Sequence, residues 1–271
     1  MDVRMLDATH QLPAAPRVAT HQARVLESRP VGARYHLILA EAPLLSETVR
    51  PGQFCHLLCP GVFLRRPMSV WRAGPGEPLG FLFRVAGQGT AALAALTPGD
   101  RLDAMGPLGR PFTLRPEWRR VLVLARGVGL ATLSLLARRA AAKGIAVEAV
   151  LSAREPADLM EAEFTGGAAM AVHRVFDSDG SSAPEAVEGR IAGSAPDAVF
   201  TCGSDRLLRL AQRFAAARGI PGEAAIESRM GCGLGLCFAC VRPIRTMEGV
   251  KDLRVCREGP VFDLQAVERW A

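Results

Sequence analysis

Val121-Leu122-Val123-Leu124-Ala125 is an apolar run that enters the turn Arg126-Gly127-Val128-Gly129. A strand with no polar alternation has both faces buried, as in a parallel sheet. Residues 130–143 follow with a helix-like pattern. Residues 147–152 and 198–202 read as further buried strands, with helical stretches between them. That alternation predicts a doubly wound α/β domain over residues 117–225. Upstream the pattern changes. Short β-rich pieces such as Tyr35-His36-Leu37-Ile38-Leu39 and Phe54-Cys55-His56-Leu57-Leu58 are separated by Pro51-Gly52, Gly74-Pro75-Gly76 and Pro98-Gly99-Asp100. Many short strands with regular breakers predict an antiparallel β-barrel over residues 18–116. Residues 1–17, rich in Pro and Ala, read as a loose extension. From residue 226 to 271 a glycine- and cysteine-rich segment takes over, and no internal repeat is evident. The fold class expected is α/β plus β-barrel.

The 271 residues are long enough for two cores, and 49% hydrophobic with 22% charged residues is ordinary for a globular chain. The formal charge is +6, and Lys143 and Lys251 are the only lysines, so the basic charge is almost all arginine. No basic run with interleaved aromatics is present, which argues against nucleic acid and leaves phosphate-bearing cofactors or an acidic partner. The first twenty residues lack the apolar stretch of a secretory signal. Residues 121–137 are interrupted by Arg126 and two glycines, so no membrane span is expected. Seven cysteines then suggest ligation chemistry in a reducing, cytoplasmic compartment rather than a disulfide framework.

Four of those cysteines have a meaningful spacing. Cys232, Cys237 and Cys240 form C-x4-C-x2-C in Met230-Gly231-Cys232-Gly233-Leu234-Gly235-Leu236-Cys237-Phe238-Ala239-Cys240, and Cys256 follows. This is the plant-type ferredoxin spacing for a 2Fe–2S cluster. Structural zinc sites pair two close knuckles instead, whereas here three candidate ligands crowd one loop. The interleaved glycines allow backbone N–H groups to approach the sulfurs. Two barrel motifs point to a flavin. In Arg65-Arg66-Pro67-Met68-Ser69 an arginine fork suits a diphosphate, a proline fixes the turn and a serine offers a hydroxyl. In Phe83-Arg84-Val85-Ala86-Gly87-Gln88-Gly89-Thr90 a glycine turn enters a helix over 91–96, where free N–H groups can cradle phosphate. Each motif alone has an ordinary reading, an exposed strand end or a capped helix; their order is more specific. His36 and His56 read as packed or surface side chains, and Cys55 and Cys59 as buried thiols. No catalytic acid, base or nucleophile stands out.

Over residues 20–265 the chain resembles the electron-transfer subunits of class 1B dihydroorotate dehydrogenases, members of the ferredoxin–NADP reductase superfamily. The resemblance rests on Pro51-Gly52-Gln53-Phe54, Arg66-Pro67-Met68-Ser69, Gly87-Gln88-Gly89-Thr90, Gly106-Pro107-Leu108-Gly109 and Ser178-Asp179-Gly180-Ser181. It continues through Arg229-Met230-Gly231-Cys232-Gly233 and Val255-Cys256-Arg257-Glu258-Gly259-Pro260-Val261-Phe262. It implies FAD lined by Arg66, Pro67, Met68, Ser69, Phe83 and Arg84, with Gly89 and Thr90 on its diphosphate. It also implies a 2Fe–2S cluster on Cys232, Cys237, Cys240 and Cys256, and NAD near Gly127 and Gly129. The implied partner is an FMN-containing catalytic subunit, joined in a heterotetramer of pyrimidine biosynthesis, from which electrons reach NAD. Cys202 is the cysteine the family places near the nicotinamide. Related reductase subunits, of NADH-dependent ferredoxin:NADP oxidoreductase or sulfhydrogenase, are the neighbouring readings; the former typically has Asp where this chain has Cys232. A cluster-bearing electron wire with a degenerate nucleotide site is another. The chain departs from the family at Ala125, Arg126, Thr132 and Ser204, where Gly-Gly, Pro and Pro are usual. Arg126 there adds bulk that would narrow the NAD site, or a cation that would meet its phosphates.

Overall fold

The computed structural model describes residues 18–268; the proposed loose extension lies outside them. Six strands, β1 (Ala19–Val31), β2 (Tyr35–Glu41), β3 (Phe54–Leu57), β4 (Arg66–Arg72), β5 (Leu79–Arg84) and β6 (Arg101–Leu108), close into an antiparallel barrel. Their order is β1-β2-β5-β4-β3-β6. Val25, Ile38, Leu57, Phe81 and Leu102 fill its interior. Closure removes the open sheet edges that would otherwise seek another strand. Two short helices, α1 (Pro43–Thr48) and α2 (Gln88–Ala94), sit between strands.

The second body is a six-stranded sheet. β7 (Arg120–Arg126), β8 (Ala146–Ala153), β9 (Ala171–Phe176), β10 (Ala198–Cys202) and β11 (Gly222–Ala225) are parallel, in order β11-β10-β7-β8-β9. The helices between them are α3 (Gly129–Ala142), α4 (Glu161–Thr165), α5 (Pro184–Arg190) and α6 (Asp205–Arg218). The apolar run at residues 121–125 lies in β7, inside the sheet. Its side chains alternate: Val121, Val123 and Ala125 pack with Leu133 and Leu136 of α3, while Leu122 and Leu124 pack with Leu210 and Phe214 of α6. Period-2 geometry explains why every residue of that run must be apolar.

The C-terminal segment is woven into this body. After the cysteine loop, β12 (Val241–Thr246) and β13 (Gly249–Arg254) form a hairpin, and β14 (Val261–Asp263) joins the sheet antiparallel to β11. Cys55 and Cys59 are free and buried. Among the described residues no helix is long and apolar enough to cross a membrane.

Candidate functional site

Register in the barrel sets the first wall of the site. β4 pairs with β3 so that Ser69 faces Phe54 and Arg66 faces Leu57. Pro67, Met68 and Ser69, with Phe83 and Arg84 from the end of β5, line a cavity of about 260 Å³ between barrel and sheet. Thr132 of α3, Cys202 at the end of β10, and Glu227 and Met230 close the other side. The Thr132 hydroxyl donates to Ser69 Oγ at 2.8 Å, and Cys202 Sγ lies 3.9 Å from Glu227 Oε1. Burial raises the pKa of Glu227, and burial followed by the Glu227 charge raises that of Cys202.

The two flavin motifs meet in space. Arg66 lies so close over Gly89 that a Cβ there would come within 2.8 Å of its Nε. The Arg66 guanidinium donates through Nη1 to the carbonyls of Leu64 and Arg65, which holds the fork beside the first turn of α2. Thr90 Oγ1 accepts from Ala86 N and Gly87 N and donates to Gly87 O. Its hydroxyl therefore shapes the turn, and the N–H groups of that first turn lack intrahelical partners. An arginine fork, a bare-backbone turn and a lined cavity fit a dinucleotide flavin.

The cysteine loop forms an adjoining wall, since Met230 and Pro260 line the same cavity. Gly233 and Gly235 have φ of 71° and 81°, and Phe238 has φ of 57°. A Cβ at Gly233 would lie 3.1 Å from the His56 ring, and one at Gly235 would lie 2.8 Å from Arg257 Cδ. Both conformation and space require these glycines. Leu234 N and Leu236 N donate to Cys232 Sγ at 3.4 and 3.3 Å, and Cys256 N approaches Cys240 Sγ at 3.5 Å. Burial pushes the Cys232 thiol up, but the N–H groups of Leu234, Cys237 and Leu236, with the Cys237 side chain, together outweigh it and bring it to about 6. Among the described residues no three His, Cys, Asp or Glu side chains are arranged to hold one metal ion. Cysteine sulfurs that accept backbone N–H groups on a glycine-rich loop fit an iron–sulfur cluster better than a structural zinc.

The third region is the carboxyl edge of the sheet, where strand order reverses between β7 and β10. Gly129 packs against β10 so closely that a Cβ would lie 2.5 Å from the Cys202 carbonyl oxygen. Gly203, at φ 111°, meets the Arg126 backbone in the same way, and Gly127 has φ of 52°. Arg126 itself turns away from this crossing. It donates to Ser152 Oγ at 2.7 Å and pairs with both oxygens of Asp177, at 3.2 and 2.5 Å. Arg206 reaches the same carboxylate at 2.9 Å. Arg126, then Ser182 and Arg206, hold the Asp177 carboxyl well below the usual carboxylate range. Ser204 caps α6, accepting from Leu207 N at 3.2 Å.

Residues 227–268 match the model of the iron–sulfur cluster binding domain of dihydroorotate dehydrogenase B. The electron transfer subunit of dihydroorotate dehydrogenase B (NAD(+)) from Desulforamulus reducens is 34% identical over 250 residues, covering 89% of this chain and 95% of that protein. Its counterpart from Geobacillus thermodenitrificans is 34% identical over 260 residues, covering 90% and 97%. The chain belongs to the dihydroorotate dehydrogenase B electron transfer subunits. The fold agrees. An NADH-dependent reduced ferredoxin-NADP oxidoreductase chain superposes with a TM-score of 0.79 at 24% identity, covering 92% of this chain and 91% of the other. Phthalate dioxygenase reductase does so at 0.65 and 13%, covering 88% and 94%.

Of the residues the sequence pattern singled out, Pro67, Met68, Ser69, Phe83 and Arg84 line the cavity between barrel and sheet, whereas Arg66, Gly89, Thr90, Gly127, Gly129 and the four cysteines lie outside its lining. The pattern missed Glu227, which follows directly on the strand-like Ala224-Ala225-Ile226 and lies three residues before Met230. It also missed His56 as a neighbour of the loop, because that contact links residues far apart in the chain.

Proposed function

We propose that this subunit carries electrons from an FMN-containing dihydroorotate dehydrogenase catalytic subunit to NAD, within a cytoplasmic heterotetramer. Residues 18–116 hold FAD, 117–225 take NAD, and 226–271 bind the 2Fe–2S cluster. One observation supports the path most directly: Met230 and Pro260, which flank the cysteines, share a cavity with Ser69 and Phe83. Bound there, FAD and the cluster would convert between hydride and single-electron transfer.

The chain's own residues bind and orient. Arg66 meets the FAD diphosphate, with Gly89 and Thr90 supplying backbone N–H groups. Pro67, Met68, Ser69, Phe83 and Arg84 line the ring. Cys232, Cys237, Cys240 and Cys256 ligate iron. Gly127 and Gly129 keep the nucleotide edge free of side chains. The Ser69–Thr132 and Cys202–Glu227 contacts hold polar groups where a nicotinamide would approach.

Anaerobically purified protein is expected to carry one FAD, two irons and two labile sulfides per chain; zinc in place of iron and sulfide would refute the cluster. Arg66→Ala should weaken FAD binding by about ten- to a hundredfold, the worth of a charge-assisted fork. Full FAD retention by a folded Arg66→Ala protein would remove Arg66 from the site.

A further inference from the structure

We infer that the arginine-lined cavity between the barrel and the C-terminal half of α3 binds a phosphorylated anion of nucleotide size. It encloses about 560 Å³, roughly twice the flavin-side cavity, and no residue lines both. That size lies within the range of about 300–1,000 Å³ typical of ligand pockets. Its walls come from both bodies: Trp71 and Arg72 from the barrel, Arg138 and Arg139 from α3. The inference does not depend on the cofactor assignments above.

Charge is what singles this cavity out. Four arginines line it. Arg29 is matched by Glu27 at 2.7 Å and Glu163 at 3.7 Å, and Arg72 by Glu77 at 3.4 Å. Arg138 and Arg139 have no carboxylate within ion-pair distance among the described residues. They donate instead to the carbonyls of Trp71 and Ala73. Those two bonds pin barrel to sheet, which is a sufficient structural role for one donor from each side chain. Each guanidinium has five N–H donors, however, and the Nε of Arg138 is buried with no partner. The negative end of α3 offsets only about half a charge, against two full cations. Glu77 and Glu163 also line the cavity, so its four arginines leave a formal surplus of two positive charges, which an anion would balance.

The geometry is also fixed in advance. The Arg138 guanidinium stacks on Trp71 at 4.8 Å from the ring centroid. Its Nη1 rests over Gly166, where a Cβ would come within 2.9 Å. Burial, then repulsion from Arg72, lowers its pKa to about 10, partly offset by the charge of Glu77. The stacked Arg138 fork suits phosphate oxygens, and the cavity leaves room for the organic part of a ligand beside Pro75, Leu135 and Ala142. An anion bridging the two walls would fasten the barrel to the α/β body.

The test is calorimetric titration of the intact protein with inorganic pyrophosphate and with ADP, at about 150 mM salt, where exposed charges are screened. We expect saturable binding of at least one of them at one per chain, with a raised melting temperature. Arg139→Gln should weaken that binding by about tenfold or more, the loss of a charge-assisted contact. Arg138→Gln should do the same, but Arg139, held by a single 3.3 Å bond, is the safer variant for folding. Arg206→Gln, at the nucleotide edge, should leave it unchanged. Failure of both probes to bind, or binding indifferent to Arg139→Gln, would overturn the inference. So would binding abolished by Arg206→Gln alone, which places the probe at the sheet edge.

Discussion

His56 shows how much one side chain can report. It is 1% exposed, its Nε2 has no partner, and it lies under Gly233 of the cysteine loop. Burial, then Arg65 and Arg66, lower its pKa from 6.5 to about 4. The unfolded chain therefore binds a proton more readily than the folded one. The stability this neutral histidine supplies is complete above pH 6.5 and is lost as pH falls towards 4. The slope should reach about 1.4 kcal/mol per pH unit over that window. Denaturant midpoints of wild type and His56→Leu across pH 4–7 measure it; equal slopes in the two proteins would show that another group is responsible.

At the scale of elements, two contacts at the carboxyl edge of the sheet make opposite demands. Gly129→Ala replaces a poor helix former with the best one, worth about 1 kcal/mol in favour. Its Cβ would, however, lie 2.5 Å from the Cys202 carbonyl, which is backbone and cannot swing aside. Overpacking costs of about 1–3 kcal/mol should win, so we expect a lower melting temperature. A more stable Gly129→Ala protein would mean that α3 can lift from β10 without penalty. Arg126 works the other way, tying the ends of β7, β8 and β9 through Ser152 and Asp177. A double-mutant cycle of Arg126→Gln and Asp177→Asn should give a coupling of about 0.5–2 kcal/mol, reduced by partial exposure and by the share that Arg206 retains. Coupling near zero would make this bridge incidental.

Across the whole molecule, the cysteine loop turns an apolar face outward. Leu236 is 74% exposed and Phe238 59%, each beside Cys237. Exposed large apolar residues within one loop mark a contact surface more often than a free one. In the proposed assembly this face meets the catalytic subunit, which would bring the cluster within reach of the partner. Leu236→Asp should then abolish co-purification of the two subunits while leaving iron and sulfide content intact. Undiminished association would move the interface elsewhere. α3 spans the molecule in the other sense, with Thr132 at the flavin-side cavity and Arg138 at the arginine cavity.

Periodicity alone settled a good deal. The apolar run at 121–125 had to be a central parallel strand, because only a sheet covered on both faces buries every side chain of such a run. The barrel followed from short strands between fixed breakers, and the cysteine spacing named the cluster chemistry, since ligands close in sequence stay close in space. The sequence did not disclose α1, the joining of β14 to the sheet, or the meeting of Thr132 with Ser69 across 63 residues. Arg126 looked like an intruder in a nucleotide site, and the fold instead commits its guanidinium to Asp177, 51 residues on. Ser204 looked like a lost proline and is a helix cap. Local pattern fixes which element a residue joins; partners distant in the chain are chosen only when the elements pack, and these side chains take their roles from such partners.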